Sequence, residues 1–155
     1  MLTAVRGNMS ESAVLHAFLK RGFHVMLPFG GGCPFDLVAA TESGQLIRIQ
    51  VKTGWSEGGC VAFNTHSTDH GKGPGSYKGK ADLFGVYFEM TDRVYLIPVG
   101  AVGTSECRLR IEPVRNNQRR RVKLAKDFEF DHWTDEEIVA VLNGDLDREQ
   151  LSLAA

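Results

Sequence analysis

The sequence predicts an α/β (α+β) domain, a helix followed by a run of short strands and closed by further mixed elements. Three observations carry this. Val14, Leu15, Phe18 and Leu19 recur with helical period near the start. Several short runs rich in β-branched residues follow, separated by Gly-, Pro- and Asp-containing turns. At 155 residues, with 43% apolar and 24% charged side chains, the chain has the size and composition of one soluble domain with a real core.

The first helix is expected over residues 8–21, with Asn8 and Glu11 as a capping box and Gly22 as its stop. Residues 23–28 read as a short strand ended by Pro28, and 30–34 as a tight turn. Residues 35–41 and 45–53 read as strands joined by a hairpin at Glu42-Ser43-Gly44. In the second of these, Ile47, Ile49 and Val51 alternate strictly with Arg48, Gln50 and Lys52. Residues 60–64 are a further strand. Residues 65–80 show no apolar pattern and several glycines, so they are expected to be a mobile basic loop. Residues 82–90 and 93–99 form another apolar pair. Around Arg108 and Arg110, alternation with Leu109 and Ile111 suggests a strand with one solvated face. A last helix is expected over 134–142, capped by Thr134, in an acidic tail spanning about 127–155.

Charge is segregated. Residues 1–126 hold 17 of the 18 Lys/Arg and 10 of the 19 Asp/Glu; residues 127–155 hold one Arg and nine acids. A basic body suits a polyanion such as nucleic acid; the plainer alternative is that the two halves pair with each other. No apolar run approaches the ~18 residues of a membrane span, and the N-terminus lacks a signal-peptide core, so no membrane partner and a cytoplasmic location are expected. Three widely spaced cysteines, Cys33, Cys60 and Cys107, argue against a disulfide framework.

The chemistry is expected where two strands and the helix meet. Gln50 and Lys52 project from one face of their strand, and a hairpin partner can bring Asp36 to the same face. The helix can bring Glu11 to its edge. Clustered carboxylates repel unless a cation joins them, and hard oxygen donors suit Mg2+ or Mn2+. A cation held against a phosphodiester can polarise it, with Lys52 orienting the attacking water or offsetting developing charge. Gln50 and the Val51 carbonyl are neutral candidate ligands. Each residue has a plainer reading: Glu11 as a cap, Asp36 as a surface acid, and Arg48, Gln50 and Lys52 as a solvated face. Zinc on Cys60, His66 and His70 is disfavoured by the lack of a C-x-x-C pair, and no P-loop or dinucleotide-binding fingerprint is present.

The order Glu11 in "NMSES", Asp36 in "CPFDLV" and Gln50-Val51-Lys52 in "RIQVKTG" resembles the PD-(D/E)XK nuclease superfamily. It is most similar to the bacterial group I intron-encoded homing endonucleases of that type, in which Gln stands in the place of the second acid. Further fragments carry the likeness, among them "GFHVMLPFGGGCPFDL", "YKGKADLFGVYFE" and "LRIEPVRNNQ". The resemblance implies a restriction-endonuclease-like core, a central mixed β-sheet flanked by helices. It implies divalent-metal-dependent hydrolysis of double-stranded DNA, metal binding by Asp36 with Glu11 and Gln50, and Lys52 as the catalytic lysine. It also implies a homo-oligomer, dimer or tetramer. A Holliday junction resolvase and a catalytically silent DNA-binding protein are the alternatives on the same fold. Candidate DNA contacts are Lys72, Lys78 and Lys80 in the glycine-rich segment, with Arg108, Arg110, Arg115, Asn116, Asn117, Gln118, Arg119, Arg120 and Arg121 beyond it.

Overall fold

A computed structural model describes residues 1–69, 73–113 and 122–144. The elements are α1 (Thr3–Lys20), β1 (His24–Met26), β2 (Leu37–Ala40), β3 (Leu46–Thr53), β4 (Trp55–Glu57), β5 (Cys60–Asn64), β6 (His66–Asp69), β7 (Gly73–Ser76), β8 (Leu83–Phe88), β9 (Arg93–Pro98), β10 (Glu106–Arg110), β11 (Lys123–Leu124), α2 (Ala125–Phe128) and α3 (Asp135–Ala140). The expected mixed architecture is observed.

A five-stranded sheet runs in the order β1-β2-β3-β8-β9. Its pairs are antiparallel except β3 with β8, which are parallel. A second sheet, β11-β10-β5-β4, lies against it, and a two-stranded ladder joins β6 to β7. The helix α1 covers one face of the large sheet. At the contact, a Cβ on Gly85 would sit 2.7 Å from Val14 Cγ1 and 3.2 Å from Ile49 Cγ2, so only glycine lets helix and sheet approach this closely. The other face meets the second sheet, with Phe63 and Phe84 edge-to-face at 5.7 Å. Gly54 links β3 to β4 at this seam; a Cβ there would lie 2.7 Å from Val61 Cγ1 and 3.3 Å from Val86 Cγ1. The glycine of "QVKTG" is thus a close-approach residue between layers. Val14, Phe18, Ile47, Ile49, Leu83 and Ile97 form the centre of the core, all fully buried.

Several expectations are corrected. The helix begins at Thr3 rather than residue 8, and Leu2, not Asn8, is its N-cap, with no side-chain cap. Asn8 and Glu11 lie inside the helix, so their capping box does not form; Gly7 does not break it, since one helical glycine costs only about 1 kcal/mol. The segment 65–80 is not a patternless loop. His66 pairs with Ser76 and Ser67 with Gly75 in an antiparallel ladder, and Tyr77 behind it is buried. The ladder is built mostly from polar residues and glycine, which is why no apolar alternation announces it. Thr134 does cap the last helix, in a complete capping box with Glu137, and that helix is shorter than expected. Two ion pairs, Arg21–Asp135 at 2.9 Å and Arg93–Glu129, join the basic body to the acidic segment, so part of the segregated charge pairs within the fold. No helix among the described residues is long and apolar enough to cross a membrane.

Candidate active site at the parting of two strands

The antiparallel ladder of β2 with β3 begins at Leu37, opposite Ile49. One residue earlier the strands part, and Val51 is left with an N–H that β2 no longer answers. Asp36 fills this gap: its own N–H donates to the Ile49 carbonyl at 2.9 Å, and its Oδ2 accepts from the Val51 N–H at 2.8 Å. A buried orphan donor is satisfied, and the carboxylate is locked in register with the Gln50-Val51-Lys52 segment.

Along β3, Ile47, Ile49 and Val51 are buried, while Arg48, Gln50 and Lys52 on the opposite face are half-buried. The expected alternation is therefore observed, but the polar face is not uniform solvent. Arg48 is clamped by Asp82, through Nη2 to Oδ1 at 2.9 Å and Nε to Oδ2 at 3.1 Å. Its Nη1 donates to the Gly79 carbonyl at 2.9 Å, holding the turn that exposes Lys78 and Lys80. Gln50 Nε2 makes a long 3.4 Å contact to the Val51 carbonyl, which directs the amide oxygen the other way. Lys52 Nζ donates to Tyr77 Oη at 3.1 Å and to the His66 carbonyl at 3.3 Å.

The electrostatics link the group. Burial pushes the Asp36 carboxyl above its ordinary range, outweighing the Val51 N–H and the Lys52 ammonium that favour its charge. Burial pulls the Lys52 ammonium down, against the opposing pull of Asp36. Glu11 is pushed up by burial and by the negative charge of Asp36, which places the helix carboxylate within the field of the strand carboxylate. The helix is pinned here by a side-chain contact missed in the sequence: buried Ser10, next to Glu11, shares a 2.6 Å hydrogen bond with Thr53, next to Lys52.

The structure thus brings Glu11, Asp36, Gln50 and Lys52 to one place. Lys78 and Lys80 are exposed on the turn that follows Tyr77. Arg108 sits apart, bound to Glu106 at 2.8 Å and Glu57 at 3.1 Å. Arg110 Nη1 donates to the Gly58 carbonyl at 2.9 Å. Both arginines have partners within the protein, and the Arg108 side chain stays about half exposed at 53%. Lys72 and the stretch Arg115, Asn116, Asn117, Gln118, Arg119, Arg120 and Arg121 lie outside the described residues. Tyr77 is the other residue the sequence did not mark: nothing in periodicity or motif links it to a lysine 25 positions earlier.

The chain matches the PD-(D/E)XK endonuclease family over residues 1–131. It belongs to that family. It is a nuclease acting on phosphodiester bonds. Among solved structures it is similar to the bacterial homing endonuclease I-Ssp6803I, with a TM-score of 0.66 and 25% identity, over 83% of this chain and 89% of that one. No curated protein matches it. The matched span includes Glu11, Asp36 and Gln50-Val51-Lys52.

PD-(D/E)XK nucleases generally use divalent metal ions, and the donor set here fits one. Two carboxylates, an amide and a main-chain carbonyl are all hard oxygen donors. Burial raises both carboxyls, and the charge of Asp36 adds to the rise at Glu11; a cation would favour the charged form of each. No group of three or more His, Cys, Asp and Glu suited to a metal converges among the described residues, which leaves the Asp36 pocket with fewer acids than a closed protein cage. Mg2+ commonly takes one or two carboxylates and completes its shell with water and phosphate.

Proposed function

We propose that the protein is a homing-type endonuclease that hydrolyses double-stranded DNA with Mg2+ or Mn2+, using Asp36, Glu11, Gln50 and Lys52. The observation that carries this is the Asp36 carboxylate fixed on the Val51 N–H, with the Lys52 ammonium in its field. Asp36 and Glu11 would hold the ion, with the Val51 carbonyl and, once its amide turns over, Gln50 Oε1 as neutral ligands. When bound, the ion supplies Lewis acidity at the scissile phosphate.

Lys52 does the rest from this chain. Its ammonium donates its remaining N–H to a non-bridging phosphate oxygen. As the water oxygen bonds to phosphorus, giving its proton to solvent, and the P–O bond to the leaving strand breaks, the negative charge growing on the phosphoryl oxygens lies beside a fixed cation. The clamped Arg48 contributes indirectly, by holding the Lys78–Lys80 turn as a positive rim over which a phosphate backbone can pass. The three free cysteines suit a reducing cytoplasm. Assembly as a dimer or tetramer would supply a second site for the second strand.

The test is cleavage of linear duplex DNA and a four-way junction with Mg2+, Mn2+ or EDTA. Duplex cutting that EDTA abolishes supports the reading. Tight binding without cutting in either metal, or cutting confined to the junction, refutes it. The double variant Lys78→Ala/Lys80→Ala should weaken binding at every sequence alike. It should also flatten the slope of log K against log salt by about 1.8, at roughly 0.9 per lost phosphate contact. An unchanged slope would remove these lysines from the interface.

A further inference from the structure

We propose that Tyr77 is the positioning residue for the catalytic lysine, its hydroxyl holding the Lys52 ammonium in the attack geometry. The inference rests on the nuclease reading of Lys52 above.

A lysine side chain has four rotatable bonds and about 1.5–2 kcal/mol of rotamer entropy to lose, so a lysine that acts at one atom needs an anchor. Lys52 has two. Its Nζ donates to Tyr77 Oη at 3.1 Å and to the His66 carbonyl at 3.3 Å. An ammonium carries three N–H donors, so two are taken and one remains to reach substrate. The ammonium meets both parts of the tyrosine: Nζ lies 3.1 Å from the hydroxyl oxygen and 4.7 Å from the ring centre, over the ring, and only the first contact is lost with the hydroxyl.

The tyrosine is itself well fixed. It is 8% exposed, and its ring packs edge-to-face on Phe84 at 5.5 Å. Phe84 stands opposite Gln50 in the parallel ladder of β3 with β8, so the anchor rests on the strand next to the site. The other anchor is built by the same piece of chain. His66 pairs with Ser76, the residue before Tyr77, so the base of the β6–β7 ladder presents both acceptors to one ammonium. The buried ring and its packing can be explained by stability alone. The hydroxyl aimed at Nζ is what packing does not require.

Tyr77→Phe removes that hydroxyl and keeps the ring. The expected result is a fall of about 10–100-fold in kcat for duplex cleavage, of the size seen when a supporting group behind a catalytic one is lost. KM and the melting temperature should stay at wild-type values, and DNA binding without divalent ion should be unchanged. Wild-type kcat overturns the proposal. So does a KM that rises as kcat falls, or a melting temperature lowered by more than about 10 °C, since either identifies a binding or structural role. Asp36→Ala, assayed alongside, separates this claim from the reading beneath it. If Asp36→Ala cuts as fast as wild type, the active site is misplaced and Tyr77 falls with it. If Asp36→Ala is inactive and Tyr77→Phe has wild-type kcat, only the positioning role is lost.

Discussion

Lys52→Ala lowers the rate of duplex cleavage by about 10²–10³-fold while leaving the fold and the affinity for DNA nearly unchanged. The size is that of removing one preorganised donor aimed at developing charge in a water-poor site. The fold survives because the strand's buried residues are Ile47, Ile49 and Val51, on the opposite face. Lys52→Arg should not rescue the rate, since the planar fork of guanidinium cannot meet Tyr77 Oη and the His66 carbonyl as a compact ammonium does. Single-turnover cleavage at saturating enzyme checks this directly. A variant that cuts within threefold of wild type would deny Lys52 its role.

Asp36→Asn abolishes cleavage and at the same time raises the thermal stability of the metal-free protein at neutral pH. The ordinary pKa of the carboxyl is 3.8, and burial raises it in the folded state. Between the two values the folded protein holds a proton that the unfolded chain has released. The free energy of unfolding therefore falls as pH rises through that window, and the loss persists above it. Asparagine carries no charge to bury, and its amide oxygen can still accept the Val51 N–H. The gain should shrink as pH falls through the window and vanish below about pH 3.8, where both forms are neutral. Lys52 adds the mirror term: its lowered pKa means the folded state gives up its proton early, so stability rises with pH between the lowered value and the ordinary 10.5. Adding Mg2+ should raise the melting temperature of wild type and not of Asp36→Asn. A lower melting temperature for metal-free Asp36→Asn at pH 7 would contradict the claim that the carboxylate is held at a cost.

The parts of this site that follow from local alternation were legible in the sequence, and those that need a distant partner were not. The period-two pattern of residues 46–53 put Gln50 and Lys52 on one face, and the hairpin at Gly44 made Asp36 their neighbour; the structure has both. The capping signals show the limit of short-range reading. Thr134 with Glu137 forms its box, while Asn8 with Glu11 carries the same spacing and forms none, because the helix had already begun at Thr3. Gly54 and Gly85 are marked in sequence only as glycines; what they admit, Val61 and Val14, is set by the packing of whole layers. The segment after Asn64 looked structureless because the β6–β7 strands are polar and glycine-rich, and with them went any sign of Tyr77 beside Lys52. Arg48 looked like its neighbours Gln50 and Lys52, yet Asp82, 34 residues later, turns it into a structural clamp.

The most direct measurement is anomalous diffraction from crystals of the protein soaked in Mn2+. The account predicts one strong peak within coordination distance of Asp36 Oδ1, with Glu11 turned toward it and Lys52 outside its shell. Crystals that bind Mn2+ only elsewhere, or leave the pocket between Asp36 and Gln50 without a peak at saturating ion, would contradict the placement of the metal and the mechanism built on it.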